Sequence, residues 1–131
     1  MKVASKAMAK TAIRFFEYAA CSTCRKAKQW LTGHGVAFQS VPIVESPPTV
    51  SELAEWVKKS GLPVQKWFNT SGQSYRALVA RLGKEGLAKL ADKEKLELLA
   101  ADGKMIKRPV LIHGGRVLVG FDEAAYRSVA G

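Results

Sequence analysis

Apolar and polar positions along the chain follow two different periods. Ala12-Ile13-Arg14-Phe15-Phe16-Glu17-Tyr18 is short, β-branched and aromatic, which predicts a strand. From Arg25 to Thr32 the spacing changes. Ala27, Trp30 and Leu31 recur at i, i+3 and i+4, with Lys26, Lys28 and Gln29 outside that stripe, which predicts an amphipathic helix. Gly33 and Gly35 mark its stop. Ala37 to Val44 alternates weakly and predicts a second strand. If it runs parallel to the first, the two strands and the helix make a right-handed βαβ unit. Pro47-Pro48 break the chain, and Thr49-Val50-Ser51-Glu52 is a capping-box sequence. The helix it opens carries Leu53, Trp56 and Val57 on one face and stops at Gly61.

Pro63 to Phe68 predicts a further helical turn. Residues 75–101 read as helix in pieces, broken at Gly83 and Gly86, with Asp92 capping the piece that carries Leu96, Leu98 and Leu99. Asp102-Gly103 ends this block. Met105 to Ile112 is strand-like but holds Pro109, so it is an edge strand or has a special turn at its start. Gly114-Gly115 is a hairpin signal, Arg116 to Gly120 the returning strand, and Asp122 the cap of a last helix from Glu123 to Val129. This order predicts an α/β fold: a four-stranded mixed sheet flanked by helices, with an all-helical insertion at about 49–103 between its two halves.

The chain has 131 residues, 47% of them hydrophobic, enough apolar matter to offset chain entropy. Residues 12–131 are expected to form a single domain behind a flexible tail at 1–11. The tail, MKVASKAMAKT, lacks the apolar core of a secretory signal, so a cytoplasmic location is expected. No run of about 20 apolar residues exists to span a membrane, and a second, nucleotide-binding domain does not fit this length.

Charge changes the picture. Twenty-one Lys and Arg face eleven Asp and Glu, for a net +10, which favours an acidic partner. The excess lies in residues 1–30, at +6, and 61–90, at +4. It is not one dense arginine patch, and a merely basic soluble surface accounts for it equally well. No helix-turn-helix, zinc-finger or aromatic RNA-binding motif accompanies it, so direct nucleic-acid binding is not expected.

The chemistry lies in the only two cysteines, Cys21 and Cys24, in Cys21-Ser22-Thr23-Cys24. With only two residues between them, they staple no distant loops. A tetrahedral zinc site would need His34 and His113 as well, and these read as surface or strand-end residues; no metal is expected. The pair sits on a strand-to-helix turn, where free backbone N–H groups favour a thiolate, and Arg25 and Lys26 add positive charge within one turn. Cys21 is expected to be the exposed nucleophile. Cys24, one helical turn on, is within disulfide reach and is the natural resolving thiol. Asn69 to Gly72 reads either as a helix-capping turn or as an anion-binding nest of backbone N–H groups with Asn69 and Ser71.

These stretches carry a resemblance. FFEYAACSTCRKAKQWL at 15–31, VESPPTVSELAEW at 44–56, KWFNTSGQSYRAL at 66–78, LELLAADGKMIKRPVLI at 96–112 and VLVGFDEAAY at 117–126 together resemble the arsenate reductase (ArsC) and Spx/MgsR family of the thioredoxin-fold superfamily. The resemblance implies a thioredoxin-like core with a helical insertion. It makes Cys21 the counterpart of the family's nucleophile, and Arg108-Pro109 the counterpart of an arginine and cis-proline that face the cysteine loop. On sequence alone that bond would be expected trans, since only about 5–6% of X–Pro bonds are cis.

In the family's arsenate reductases a thiolate attacks arsenate, three arginines hold the oxyanion, and glutathione with a glutaredoxin reduces the adduct. Here Arg108 matches one arginine position, Asn69 stands at the second, and Gly120 or its neighbour at the third. Fewer guanidiniums predict weaker binding of a tetrahedral dianion. The resemblance thus implies a thiol-disulfide oxidoreductase with Cys21 and Cys24 as its redox pair, and Arg25, Asn69, Ser71, Arg108 and Pro109 around an anionic substrate. No bound cofactor is expected, and the resemblance implies glutathione/glutaredoxin or thioredoxin as the external reductant. The substrate is a small oxyanion, or a protein or low-molecular-weight thiol. The alternative is an Spx-like redox sensor that binds RNA polymerase without turnover. A monomer is the simplest expectation.

Overall fold

The computed structural model describes residues 12–130, and the expected flexible tail at 1–11 lies outside them. The chain forms two compact units. One comprises the chain through Val41 and from Arg108 onward; the other is Pro42–Lys107.

The first unit holds the sheet. Its strands are β1 (Ile13–Glu17), β2 (Phe38–Pro42), β3 (Val110–His113) and β4 (Arg116–Val119), in the order β2-β1-β3-β4. β1 pairs antiparallel with β3, Phe15 opposite Leu111, and β3 pairs antiparallel with β4, Leu111 opposite Leu118. In this mixed sheet β1 and β3 are the inner strands, which explains why both are buried nearly throughout. The edge-strand option for the Pro109 segment is thereby overturned. The strand begins only at Val110, and the proline stands before it in a special turn with a cis Arg108–Pro109 bond. The hairpin turns at Gly114-Gly115, where Gly114 takes a left-handed φ of 58° that suits glycine.

Among the described residues, two helices belong to this unit: α1 (Ser22–Gly33) and, after eight intervening elements of the chain, a last helix at Glu123–Ala130. Ile13, Phe15, Ala27, Leu31, Leu111 and Tyr126 form the buried cluster between sheet and helices. The last helix starts as predicted: the Asp122 carboxylate accepts the Ala125 N–H at 3.1 Å.

The second unit is helical. It comprises α2 (Val50–Ser60), a 3₁₀ turn (Val64–Trp67), α3 (Gln73–Ala88), α4 (Asp92–Ala101) and a second 3₁₀ turn (Gly103–Met105); the last helix of the chain is therefore α5. The capping box of α2 forms as read, with Thr49 N–H to Glu52 at 3.0 Å and Glu52 N–H to Thr49 at 3.1 Å. Within α3 the break falls at Gly83 alone, whose φ of 75° and ψ of 156° leave the helix; Gly86 stays helical. Asp92 is the first residue of α4 rather than its cap. Ala91 precedes it, and the Glu94 carboxylate accepts the Ala91 N–H at 3.0 Å. Leu53, Trp56, Trp67, Leu99 and Ile106 are buried here. Gly103 lies so close to the Ile43 carbonyl that a β-carbon would collide with it. Among the described residues, no helix is long and apolar enough to cross a membrane.

Candidate active site

The helix after β1 begins three residues earlier than its apolar stripe suggests, because a thiol caps it. Cys21 is the N-cap of α1, with extended φ −88° and ψ 120°. Its Sγ accepts the Cys24 N–H at 3.4 Å, the place a serine or aspartate oxygen usually takes. The loop is tied on both sides: Cys21 N–H donates to the Tyr18 carbonyl at 2.9 Å, and Arg25 N–H to the Cys21 carbonyl at 3.2 Å. Both cysteines are free thiols; Cys21 is partly exposed and Cys24 is fully buried.

Their environments push the two thiols apart. Burial acts to raise Cys21, yet it lies below its ordinary 9.0, because the Cys24 side chain and N–H and the Arg108 guanidinium together outweigh burial. Cys24 is pushed up to about 12, chiefly by burial and further by its Cys21 neighbour; a hydrogen bond with the Tyr18 backbone and the Arg108 charge oppose this only in part. The geometry therefore offers a more readily ionised thiol at the mouth of the helix and a thiol held protonated beneath it.

Arg108 reaches this site from the turn before β3. Its guanidinium carbon lies 5.0 Å from the centre of the Tyr18 ring, and Pro109 behind it accepts the Gly120 N–H at 2.8 Å. Arg25 points elsewhere, donating from Nη1 to the Ala19 carbonyl at 3.1 Å. It lines a hollow with Glu17, Lys28, Gln29 and Thr32, in which the buried Glu17 carboxylate accepts from Ser40 and pairs with Lys28 at 3.1 Å.

Cys21, Cys24, Arg25, Arg108 and Pro109 thus all belong to the first unit, whereas Asn69 and Ser71 belong to the second. There they line a hollow of about 410 Å³ with Gln65, Lys66, Phe68, Thr70 and Lys107. Tyr18 and the Glu17–Ser40–Lys28 group escaped sequence reasoning. The one available signal for Tyr18 was its place, three residues before Cys21 at the end of a strand. Among the described residues, no group of three His, Cys, Asp or Glu side chains is placed to hold a metal ion.

A Cys-x-x-Cys pair capping the first helix of a four-stranded mixed sheet, faced by an Arg–cis-Pro turn, defines a thioredoxin-like protein of the arsenate reductase and Spx branch. The sequence model of the ArsC family matches residues 16–129, and the chain belongs to that family. It is 48% identical over 111 residues to the uncharacterized protein YusI of Bacillus subtilis, covering 85% of this chain and 92% of that one. The global transcriptional regulator Spx 2 of Oceanobacillus iheyensis is 31% identical over 105 residues, covering 80% and 74%. Among solved structures, a possible arsenate reductase from Streptococcus mutans UA159 superposes with a TM-score of 0.75 at 41% identity, covering 85% and 92%.

Proposed function

We propose that this protein is an arsenate reductase-like thiol-disulfide oxidoreductase, with Cys21 as nucleophile and Cys24 as resolving thiol. The observation that carries it is the placing of the two sulfurs: a partly exposed Cys21 caps the helix and accepts the Cys24 N–H at 3.4 Å, and Cys24 is buried one turn on; these surroundings lower Cys21 and push Cys24 up to about 12. The Cys21 thiolate attacks one sulfur of a substrate disulfide, a new S–S bond forms, and the substrate's other sulfur leaves as a thiolate. In that mixed disulfide Cys21 carries no negative charge, so its raising effect on Cys24 is gone. Cys24 then loses its proton and attacks Cys21 Sγ, releasing the second substrate thiol and leaving a Cys21–Cys24 disulfide. Glutathione with a glutaredoxin, or thioredoxin, supplies the two electrons that restore the dithiol in the cytoplasm.

Arg108 alone stands where the family's arginines stand, so turnover of a disulfide is expected to exceed turnover of arsenate. The test is the reduction potential of the pair, read by mass shift in glutathione buffers of graded ratio. A value of roughly −220 to −320 mV lets the pair cycle against the cytosolic thiol pool. Failure to form a disulfide at any ratio would sink the proposal.

A second reading has one observation in its favour, the 31% identity to a transcriptional regulator of the Spx type. There the same pair senses oxidation and RNA polymerase is the partner. Redox-dependent capture of polymerase, without turnover of any disulfide, would select it.

A further inference from the structure

The nucleophile depends on where the Arg108 guanidinium stands, and the fold holds the turn that carries it as well as its tip. In the next residue, the Pro109 carbonyl accepts the Gly120 N–H at 2.8 Å, and the Gly120 carbonyl accepts the Tyr126 hydroxyl at 3.3 Å. At its tip, the guanidinium carbon lies 5.0 Å from the centre of the Tyr18 ring, inside the roughly 6 Å within which a ring face attracts a cation. Tyr18 also holds the cysteine loop: its carbonyl accepts the Cys21 N–H at 2.9 Å. Arginine has several rotatable bonds and a large rotamer entropy. A flat ring that takes up its planar head narrows that freedom to the face turned toward the thiol.

We propose that Tyr18 is a positioning residue for the nucleophile: its ring carries the Arg108 guanidinium beside Cys21, while its main chain anchors the loop that presents the sulfur. The proposal deepens the oxidoreductase function above and rests on Cys21 being its nucleophile. Tyr18 touches no substrate in this role and acts through Arg108. In this role it is the ring face that meets Arg108, so phenylalanine should substitute and an aliphatic side chain of similar bulk should not.

The experiment is the pH profile of Cys21 alkylation by iodoacetamide in the full-length reduced chain, with the site of labelling read by peptide mass. Tyr18→Phe is expected to keep the midpoint of the parent. Tyr18→Leu and Tyr18→Met are expected to raise it by roughly half a pH unit, about a threefold loss of thiolate below the midpoint. In an Arg108→Met background the same two substitutions are expected to move nothing. The proposal is overturned if Leu and Met leave the midpoint unmoved while Arg108 is present, or raise it equally when Arg108 is absent. Should both variants fail to fold, Tyr18→Trp, which keeps and strengthens the ring face, must hold or lower the midpoint, and a rise overturns the proposal. A parent that titrates at or above the ordinary 9.0 takes down the nucleophile and Tyr18 together. A low parent with silent Tyr18 variants removes only the positioning role.

Discussion

Two helices in this protein start in comparable surroundings and do different things. α1 begins behind Cys21 and α3 behind Gly72, and each turns its free N–H groups toward whatever negative charge is at hand. At α1 the cap is a thiol that accepts the Cys24 N–H, with a guanidinium facing it. At α3 the cap is a glycine with no side-chain hydrogen bond. The polar groups before α3 are engaged locally: Gly72 N–H donates to the Asn69 carbonyl at 3.3 Å, Arg76 to the Ser71 carbonyl at 3.2 Å, and the Asn69 amide to the Lys104 carbonyl at 3.4 Å. The field of a helix end is common to both. What sets the first start apart is a titratable atom in the cap position with a cation beside it, and the second has no such atom.

The sharpest way to break this comparison is to remove that atom. Cys21→Ser keeps a good cap and loses the proposed nucleophile. Disulfide turnover is expected to fall by at least about a thousandfold while the melting temperature stays close to the parent's. Activity that survives would move the chemistry away from α1. Cys24→Ser comes next. It is expected to allow the first attack and stop there, so a mixed disulfide on Cys21 accumulates and is seen as a mass adduct. Steady multiple turnover without any such adduct would remove Cys24 from the resolving role.

Arg108→Met tests the cation rather than the sulfur. Cys21 lies below 9.0 with Arg108 among the causes, so its reaction rate should rise with pH through a midpoint under 9.0 and then level off. Removing an opposite charge typically costs a unit or more of shift. The variant is expected to move the rise upward by about one unit, so that the rate at neutral pH drops about tenfold. Near pH 10 variant and parent should converge. A uniform loss at every pH would mean that Arg108 binds substrate and leaves the thiolate alone.

The two thiols of the pair should also leave opposite marks on stability. Cys24 is held neutral in the fold up to about 12, whereas in the unfolded chain it ionises around 9.0. Between these values the unfolded chain has given up its proton and the folded chain has not, so this group's contribution is lost as pH climbs from about 9 toward 12. Tyr126, raised by burial and by Cys24, adds to the same decline above its ordinary 10.0. Cys21, lowered, contributes above its ordinary 9.0 and loses that contribution as pH falls through its lowered value. Urea unfolding at pH 8 and pH 11 checks the sign: Cys24→Ala should lose less stability between them than the parent. An equal or steeper decline would contradict a buried neutral Cys24.

Why was the first helix start legible only in part? Caps built from side-chain oxygens were readable: Thr49 with Glu52, and Asp122, bind the N–H groups their types suggest. Cysteine is not among the usual caps, so the apolar stripe at Ala27, Trp30 and Leu31 placed the start of α1 too late. Asp92 misled for the opposite reason, since a good capping type sits one residue inside the helix behind Ala91. Pro109 suggested an edge strand or a special turn at the strand's start, and the second holds: a proline just before a strand removes no ladder hydrogen bond, and β3 lies inside the sheet. The strand–helix turn and its cysteines could be read locally. The partnership of Tyr18 with Arg108 could not, because it joins residues far apart in sequence through a ring face that no spacing rule records.

The smallest expected effect belongs to the second helix start. The Asn69 amide donates to the Lys104 carbonyl at 3.4 Å, and the net worth of one such bond is about 1 kcal/mol or less. Asn69→Ala is therefore expected to leave the alkylation midpoint of Cys21 unchanged, to leave disulfide turnover unchanged, and to lower stability in urea unfolding by about 1 kcal/mol or less. That pattern would leave Asn69 to 72 as the turn that opens a helix. A shifted Cys21 midpoint would overturn the division itself, because it would show the second start tuning the thiolate that the comparison assigns to the first.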